Sequence, residues 1–202
     1  MSDALSAERL ILASASPRRS GLLDELGLVF EIAPPDIDES VLPGELGRPY
    51  VERLARGKAA VMAAPGAVVV AADTTVDLDG ELLGKPVDAA DAKRLIRAIA
   101  DTTHHVHTAV CVHRVTTAGE IIIRSAVATT AVTIAPIAED WIEWYVGTGE
   151  PLDKAGAYGM QGPGAMFVAG ITGSPSNVVG LPLDLLARLT AEAGVDLLSF
   201  RR

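Results

Sequence analysis

Apolar positions along this chain recur with two different periods. RLILA (residues 9–13) is a short apolar run that ends in SASP. With Pro17 at a first helical position, it predicts a strand turning into a helix that ends at Gly27. LVFEIA (28–33) reads as a second short strand, followed by a loop, PPDIDESVLPGELGRP, rich in proline and acid. Val51, Leu54, Ala55 and Val61 recur at helical spacing and predict a helix from about Pro49 to Ala64, with Arg53, Arg56 and Lys58 as its cations. AVVVAADTTVDL (67–78) is apolar without alternation, as in a strand covered on both faces. DAADAKRLIRAIA (88–100) is an amphipathic helix with acids at its start. Residues 104–134 predict two long strands joined at TTAGE, and a helix follows from about Pro136 to Val146. Residues 147–180 are rich in glycine and read as a loop around one strand, AMFVAGI, before a last helix from Pro182 to about Ala193.

This alternation predicts an α/β fold with a mixed sheet. No linker or repeat divides the chain, so residues 1–202 are expected to form one domain. With 49% hydrophobic residues a substantial core can be buried. The longest apolar run, residues 59–72, is broken by Pro65-Gly66 and is too short to cross a bilayer. MSDALSAERL lacks a basic stretch followed by an apolar one, so a cytoplasmic address is expected. Cys111 is the only cysteine, which excludes an internal disulfide. The formal net charge of −9 argues against a nucleic-acid polymer or an anionic membrane as partner. An anion bound by this chain needs a local exception.

Arg18 and Arg19 supply one. They sit in the first helical turn, where the dipole disfavours cations by about 0.3–1 kcal/mol each. A phosphate there would explain both, because free N–H groups at a helix start and guanidinium forks both bind it. The simpler alternative pairs them with Asp24 or Glu25. Asp73 lies inside the apolar run 67–78, and a lone carboxylate there costs several kcal/mol, on the order of the ~1–3 or more for an uncompensated polar group, unless something balances it. It is either a metal-holding acid that activates water or a structural aspartate capped by Thr74 and Thr75 or paired with a lysine. Glu39, in DIDES, is a candidate second oxygen ligand, and Lys58 and Lys85 are further candidate cations. His105 and His107 share one strand face and His104 takes the other, so the three read as ordinary strand residues. Cys111 has no activating base nearby and reads as buried and inert. VDLDGELLG (76–84) resembles the nucleophile motif of haloacid-dehalogenase-type phosphatases, with Asp77 as nucleophile, but Asp79-Gly80 is equally a two-residue hairpin turn.

LASASPRR, the DIDES acid, LARGKA, AADTTV, LLGKP, HHVHTAV, GEPLDKAGAYGMQG and SNVVGLPL, in this order, resemble the Maf-like nucleoside triphosphate pyrophosphatases. The resemblance implies a mixed α/β fold of the Maf/ITPase kind, elongated, with two lobes around a cleft and often homodimeric. It implies hydrolysis of dTTP and UTP, or modified pyrimidine nucleotides, between the α and β phosphates with a divalent cation, magnesium or manganese. By that resemblance Asp73 is the proton acceptor and a metal ligand, and Glu39 a second metal ligand. Arg18, Lys58 and Lys85 surround the triphosphate, while Arg19, Thr74 and Gln161 form the specificity set. A sister subgroup acting on 7-methyl-GTP is less similar, with Trp in place of Arg18 and Gln in place of Thr74. Gly57 departs from the acidic or polar residue usual before the lysine. The family is also linked with inhibition of septum formation, which makes a non-catalytic nucleotide-sensing regulator the alternative to an enzyme.

Overall fold

Valine and alanine without polar interruption must be covered on both faces, and residues 67–73 are all buried. In the computed structural model, which describes residues 8–202, this run begins β3 (Ala67–Leu78), a central strand of a seven-stranded mixed sheet. β1 (Arg9–Leu12) pairs parallel with β3 on one side and with β2 (Glu31–Ile32) on the other. β4 (Glu81–Leu83), β5 (Thr103–Val115), β6 (Ile121–Ile134) and β7 (Val168–Thr172) are all antiparallel to their neighbours, and the main order is β2-β1-β3-β5-β6-β7.

Three clusters share this sheet. Val68, Val70 and Ala72 pack with Leu22 and Leu23 of α1 (Pro17–Glu25) and with Leu185, Leu186 and Leu189 of α6 (Leu183–Glu192). On the opposite face Val69 and Ala71 meet Val51, Ala55 and Ala59 of α2 (Gly47–Val61). Further along, Val76 and Val106 join Leu95, Ile96 and Ile99 of α3 (Ala89–Ile99) and Ile142 and Tyr145 of α4 (Glu139–Gly147). β3 therefore leaves one core and enters another across Asp73, Thr74 and Thr75. Polar residues fall where neither core claims the strand.

Several predicted boundaries move. Only Glu31–Ile32 of the stretch 28–33 is strand, because Leu28 and Val29 instead meet Arg201 and the Phe200 carbonyl near the C-terminus. α2 starts two residues before Pro49, which sits in the first turn where a missing N–H costs nothing. It stops at Val61, ahead of Pro65, which disfavours helix in the residue before it. α4 likewise begins at Glu139, past Pro136. Residues 147–180 hold more order than the expected loop around a strand: three 3-10 turns (Glu150–Asp153, Ala155–Ala157, Pro163–Phe167), β7, and the short helix α5 (Pro175–Val179). Glycines at positive φ, such as Gly149, Gly162 and Gly180, make those turns available without side-chain strain. Asp79 and Gly80 both have positive φ and join β3 to β4 as a hairpin turn. The stretch MSDALSA, part of the expected leaderless N-terminus, lies outside the described residues. Among the described residues no helix is long and apolar enough to cross a membrane.

Gly164 locks the turns of residues 150–167 together. A Cβ there would come within 2.6 Å of the Gly159 carbonyl oxygen and press on the Tyr145 hydroxyl. Gly164→Ala should cost about 1–3 kcal/mol, as overpacking does when backbone is the obstacle. A urea titration reads the loss, and an unchanged midpoint would show that this segment yields freely.

Candidate active site

At the seam in β3, Asp73 faces α2 and Thr74 faces α1. Lys58, on the buried side of α2, reaches across with its Nζ 2.6 Å from Asp73 Oδ1 and 2.8 Å from Glu39 Oε1. Lys58 and Asp73 are both buried, each 7% exposed, while Glu39 approaches from the exposed acidic loop. Burial is the largest influence on Asp73 and pushes its pKa up, against the pull of Lys58 and Arg19. Asp73 is thus an aspartate paired with a lysine, one of the readings the sequence offers. Gly57, beside Lys58, causes no break in α2, and a Cβ there would stand 3.4 Å from Ile37 Cδ1.

The two arginines of α1 behave differently, and neither pairs with Asp24 or Glu25. Arg18 crosses to the turn at 150–153, its Nη1 donating to Asp153 Oδ2 at 2.7 Å and its Nη2 to the Asp153 carbonyl at 3.3 Å. Burial works against the charged form of Asp153, yet hydrogen bonds from Lys154 and Arg18 prevail and bring its pKa to about 2. Arg19 is held by neutral acceptors. Its Nε donates to the Gly180 carbonyl at 2.8 Å, Nη1 to Ser14 Oγ at 3.1 Å, and Nη2 to Thr74 Oγ1 at 3.1 Å. Burial lowers its pKa from the usual guanidinium value, with Asp73 opposing. Gly180 has φ +119°, and a Cβ on it would come 3.4 Å from Thr74 Oγ1 and 3.6 Å from Arg19 Nε. Only a glycine lets the carbonyl reach the guanidinium in this way.

All eight residues singled out from sequence (Arg18, Arg19, Glu39, Lys58, Asp73, Thr74, Lys85 and Gln161) line a single cavity of about 590 Å³. Lys85 follows β4 and Gln161 lies between two 3-10 turns, both with exposed side chains. A second cavity, about 720 Å³ beside β1 and β2, contains none of the eight. Sequence reasoning passed over Ser14, Asp153, Lys154 and Tyr158, which also line the first cavity. Thr108 is a further residue without a sequence signal; its hydroxyl stands 3.0 Å from that of Thr74. All five lie within the segments LASASPRR, HHVHTAV and GEPLDKAGAYGMQG, but Asp153, Tyr158 and Thr108 meet partners far away in sequence: Arg18, His104 and Thr74.

Asp77, the rival nucleophile, is turned away. Its Oδ1 accepts from the Gly80 backbone N–H at 2.7 Å, its Oδ2 lies 3.5 Å from His107 Nε2, and it is not among the residues lining the cavity. The dehalogenase-like reading of VDLDGELLG resolves into a hairpin.

A family model described as Maf-like protein matches residues 9–193. The chain belongs to the Maf-like family. Among Maf-like relatives, a dTTP/UTP pyrophosphatase of Anaeromyxobacter dehalogenans is 56% identical over 191 residues, covering 95% of this chain and 97% of its own length. Another dTTP/UTP pyrophosphatase, from Myxococcus xanthus, is 48% identical over 193 residues, with 93% and 94% covered. A solved HAM1 protein from Coxiella burnetii has 17% identity and a TM-score of 0.42, with 64% of this chain and 74% of that one covered.

The histidines of this Maf-like chain divide as the strand alternation predicts. His105 and His107 stack, their ring centroids 6.2 Å apart, while His104 faces the α3 and α4 core and its Nε2 meets the Tyr158 hydroxyl at 2.8 Å. Tyr158 lines the cavity, so His104 supports its wall from behind. Burial lowers the pKa of His104 from 6.5 to about 4. Unfolded chains bind a proton at this position from pH ~6.5 downward and the folded one only near pH 4, so stability is lost as pH falls through that window. Between pH 7 and pH 5 the contribution is about 2 kcal/mol. His104→Gln should flatten the dependence of the urea midpoint on pH by that amount, whereas parallel curves for variant and parent would assign the slope to other groups.

Proposed function

We propose that this chain hydrolyses dTTP and UTP, releasing the nucleoside monophosphate and diphosphate, at the cavity lined by Asp73. The observation that carries this reading is convergence: on a chain of net charge −9, Arg18, Arg19, Lys58 and Lys85 all line one cavity with Asp73 and Glu39. A triphosphate brings about four negative charges, and only such a local concentration of cations can hold it on an acidic protein. The relatives named dTTP/UTP pyrophosphatase supply the substrate class.

Glu39 and Asp73 also fit a divalent cation. Their carboxylates converge on one ammonium, and one or two carboxylates completed by phosphate oxygens and water is the set that magnesium takes. Among the described residues no group of three or more His, Cys, Asp or Glu side chains is placed to hold an ion, so the ion would be shared with the triphosphate. When bound, it would polarise the phosphate oxygens it touches.

The chain's own residues have the following roles. Asp73, its pKa raised by burial, accepts the proton of the water that attacks the α-phosphorus. The bond from that phosphorus to the bridging oxygen breaks, and diphosphate departs with the electron pair. Lys58 keeps Asp73 in place through their 2.6 Å contact. Arg18 and Lys85 offset the charge that grows on the leaving diphosphate. Arg18 gives up Asp153 to do so, and Asp153 keeps Lys154 as its partner at 2.7 Å. Arg19, Thr74 and Gln161 meet the nucleoside. We further propose that the enzyme works in the cytoplasm as a homodimer, as the family resemblance implies; sedimentation at micromolar concentration reads the second point, and a monomer would refute it.

With magnesium or manganese present, the purified protein should release diphosphate from UTP and dTTP; orthophosphate as the sole product would refute the reading. Asp73→Asn should lower kcat by about 10²- to 10⁴-fold, the range a positioned base contributes, with the circular dichroism unchanged. Asp77→Asn should leave kcat/KM near the parent value, and its collapse would return the nucleophile to Asp77.

A further inference from the structure

Hydrogen bonds have a direction, and a buried row of hydroxyls passes that direction along. Thr74 and Thr108 are cross-strand partners on β3 and β5, with Oγ1 atoms 3.0 Å apart. Thr108 is fully buried, and its Oγ1 also lies 2.9 Å from the carbonyl oxygen of Asn177 in α5. A carbonyl can only accept, so two oxygens at that distance need a proton between them, and the Thr108 hydroxyl is its source. With its single proton used there, Thr108 can only accept from Thr74. Thr74 in turn spends its own proton on Thr108 and receives an N–H from Arg19 Nη2 at 3.1 Å. What Thr74 has left toward the cavity is a lone pair.

Beside that lone pair stands a donor. Arg19 has five N–H groups and commits three, to Gly180, Ser14 and Thr74. Among the described residues the remaining hydrogens on Nη1 and Nη2 meet no acceptor, and Arg19 and its neighbour Thr74 line the same cavity.

We propose that Thr108 is a positioning residue for base selection: by fixing Thr74 as an acceptor next to the Arg19 donor, it makes the site take a pyrimidine edge with an N–H beside a carbonyl. This rests on the nucleotide reading of the cavity given above. Uracil and thymine present that edge at N3–H and its flanking carbonyls. Cytosine carries a lone pair at N3, which would face the lone pair of Thr74. Asn177 anchors the row from behind, its Nδ2 donating to the Val106 carbonyl at 3.0 Å and to Thr130 Oγ1 at 2.8 Å, so its carbonyl cannot swing away from Thr108.

The test compares UTP, CTP and N3-methyl-UTP as substrates, by diphosphate release, for the parent protein, Thr108→Val and Thr108→Ser. The parent should prefer UTP to CTP by about tenfold or more and lose a similar factor on N3-methyl-UTP, the scale of one mismatched hydrogen bond. Thr108→Val, which frees the Thr74 proton to turn into the cavity, should shrink the UTP to CTP ratio of kcat/KM by about tenfold, and Thr108→Ser should restore it. A ratio unchanged in folded Thr108→Val, with both rates reduced alike, would leave Thr108 a merely structural role and overturn the proposal. Because Thr108 is buried, the parent protein supplies an arm that needs no variant: N3-methyl-UTP cleaved as well as UTP overturns the proposal outright. Failure to cleave UTP at all would instead strike the reading of function on which it rests.

Discussion

One ammonium group organises this molecule. Lys58 Nζ is buried between the carboxylates of Asp73 and Glu39, and the first of these pairs lies where water is nearly excluded. Removing Lys58 would strand the buried Asp73 carboxylate, at a cost of about 3–5 kcal/mol, whereas Asp73→Asn leaves Lys58 its second carboxylate, Glu39. The pair fixes how α2 sits on β3, because Lys58 can reach Asp73 only while Val51, Ala55 and Ala59 keep their packing on Val69 and Ala71. It also draws the otherwise solvated acidic loop inward through Glu39. The structural tie therefore runs through the same carboxylate to which we assign the proton transfer.

Charge in the cavity is arranged by contrast. Arg18 and Arg19 are adjacent on one helix turn, yet one leans on an exposed carboxylate across the cleft and the other on two hydroxyls and a carbonyl. A guanidinium with only neutral partners keeps its full charge unneutralised at close range, which suits recognition of a ligand group. A guanidinium paired with Asp153 must exchange one anion for another. The two residues that looked alike in SASPRR thus differ in how firmly each is already engaged.

Much of this was readable in the chain. The unbroken apolar run of β3 announced a doubly covered strand, and the same run made Asp73 conspicuous, since its cost inside such a strand demanded a partner. The helix opening on Pro17-Arg18-Arg19 raised the question of an anion, and the order of short motifs pointed toward one family. What could not be read were contacts between distant segments. Asp153 is 135 positions from Arg18, and the Asn177 carbonyl is 69 from Thr108; nothing local in either stretch names the other. Boundaries failed for similar reasons: the stretch after Gly27 has strand-like residues, but the C-terminal turn takes the backbone groups of Leu28 and Val29. The glycine-rich third looked shapeless because single turns stabilised by remote partners leave no periodic trace.

β3, β5 and β6 each continue without interruption from one hydrophobic cluster into the next, so the walls of the cleft are parts of the same ribbon. Such a construction has no hinge. The jaws cannot swing shut on a nucleotide as two separate bodies would, and rearrangement on binding falls to the peripheral pieces, the acidic loop bearing Glu39 and the turns bearing Asp153 and Gln161. Discrimination among ligands must then be built in before they arrive, in the resting geometry of the strands, and not generated by closure around them.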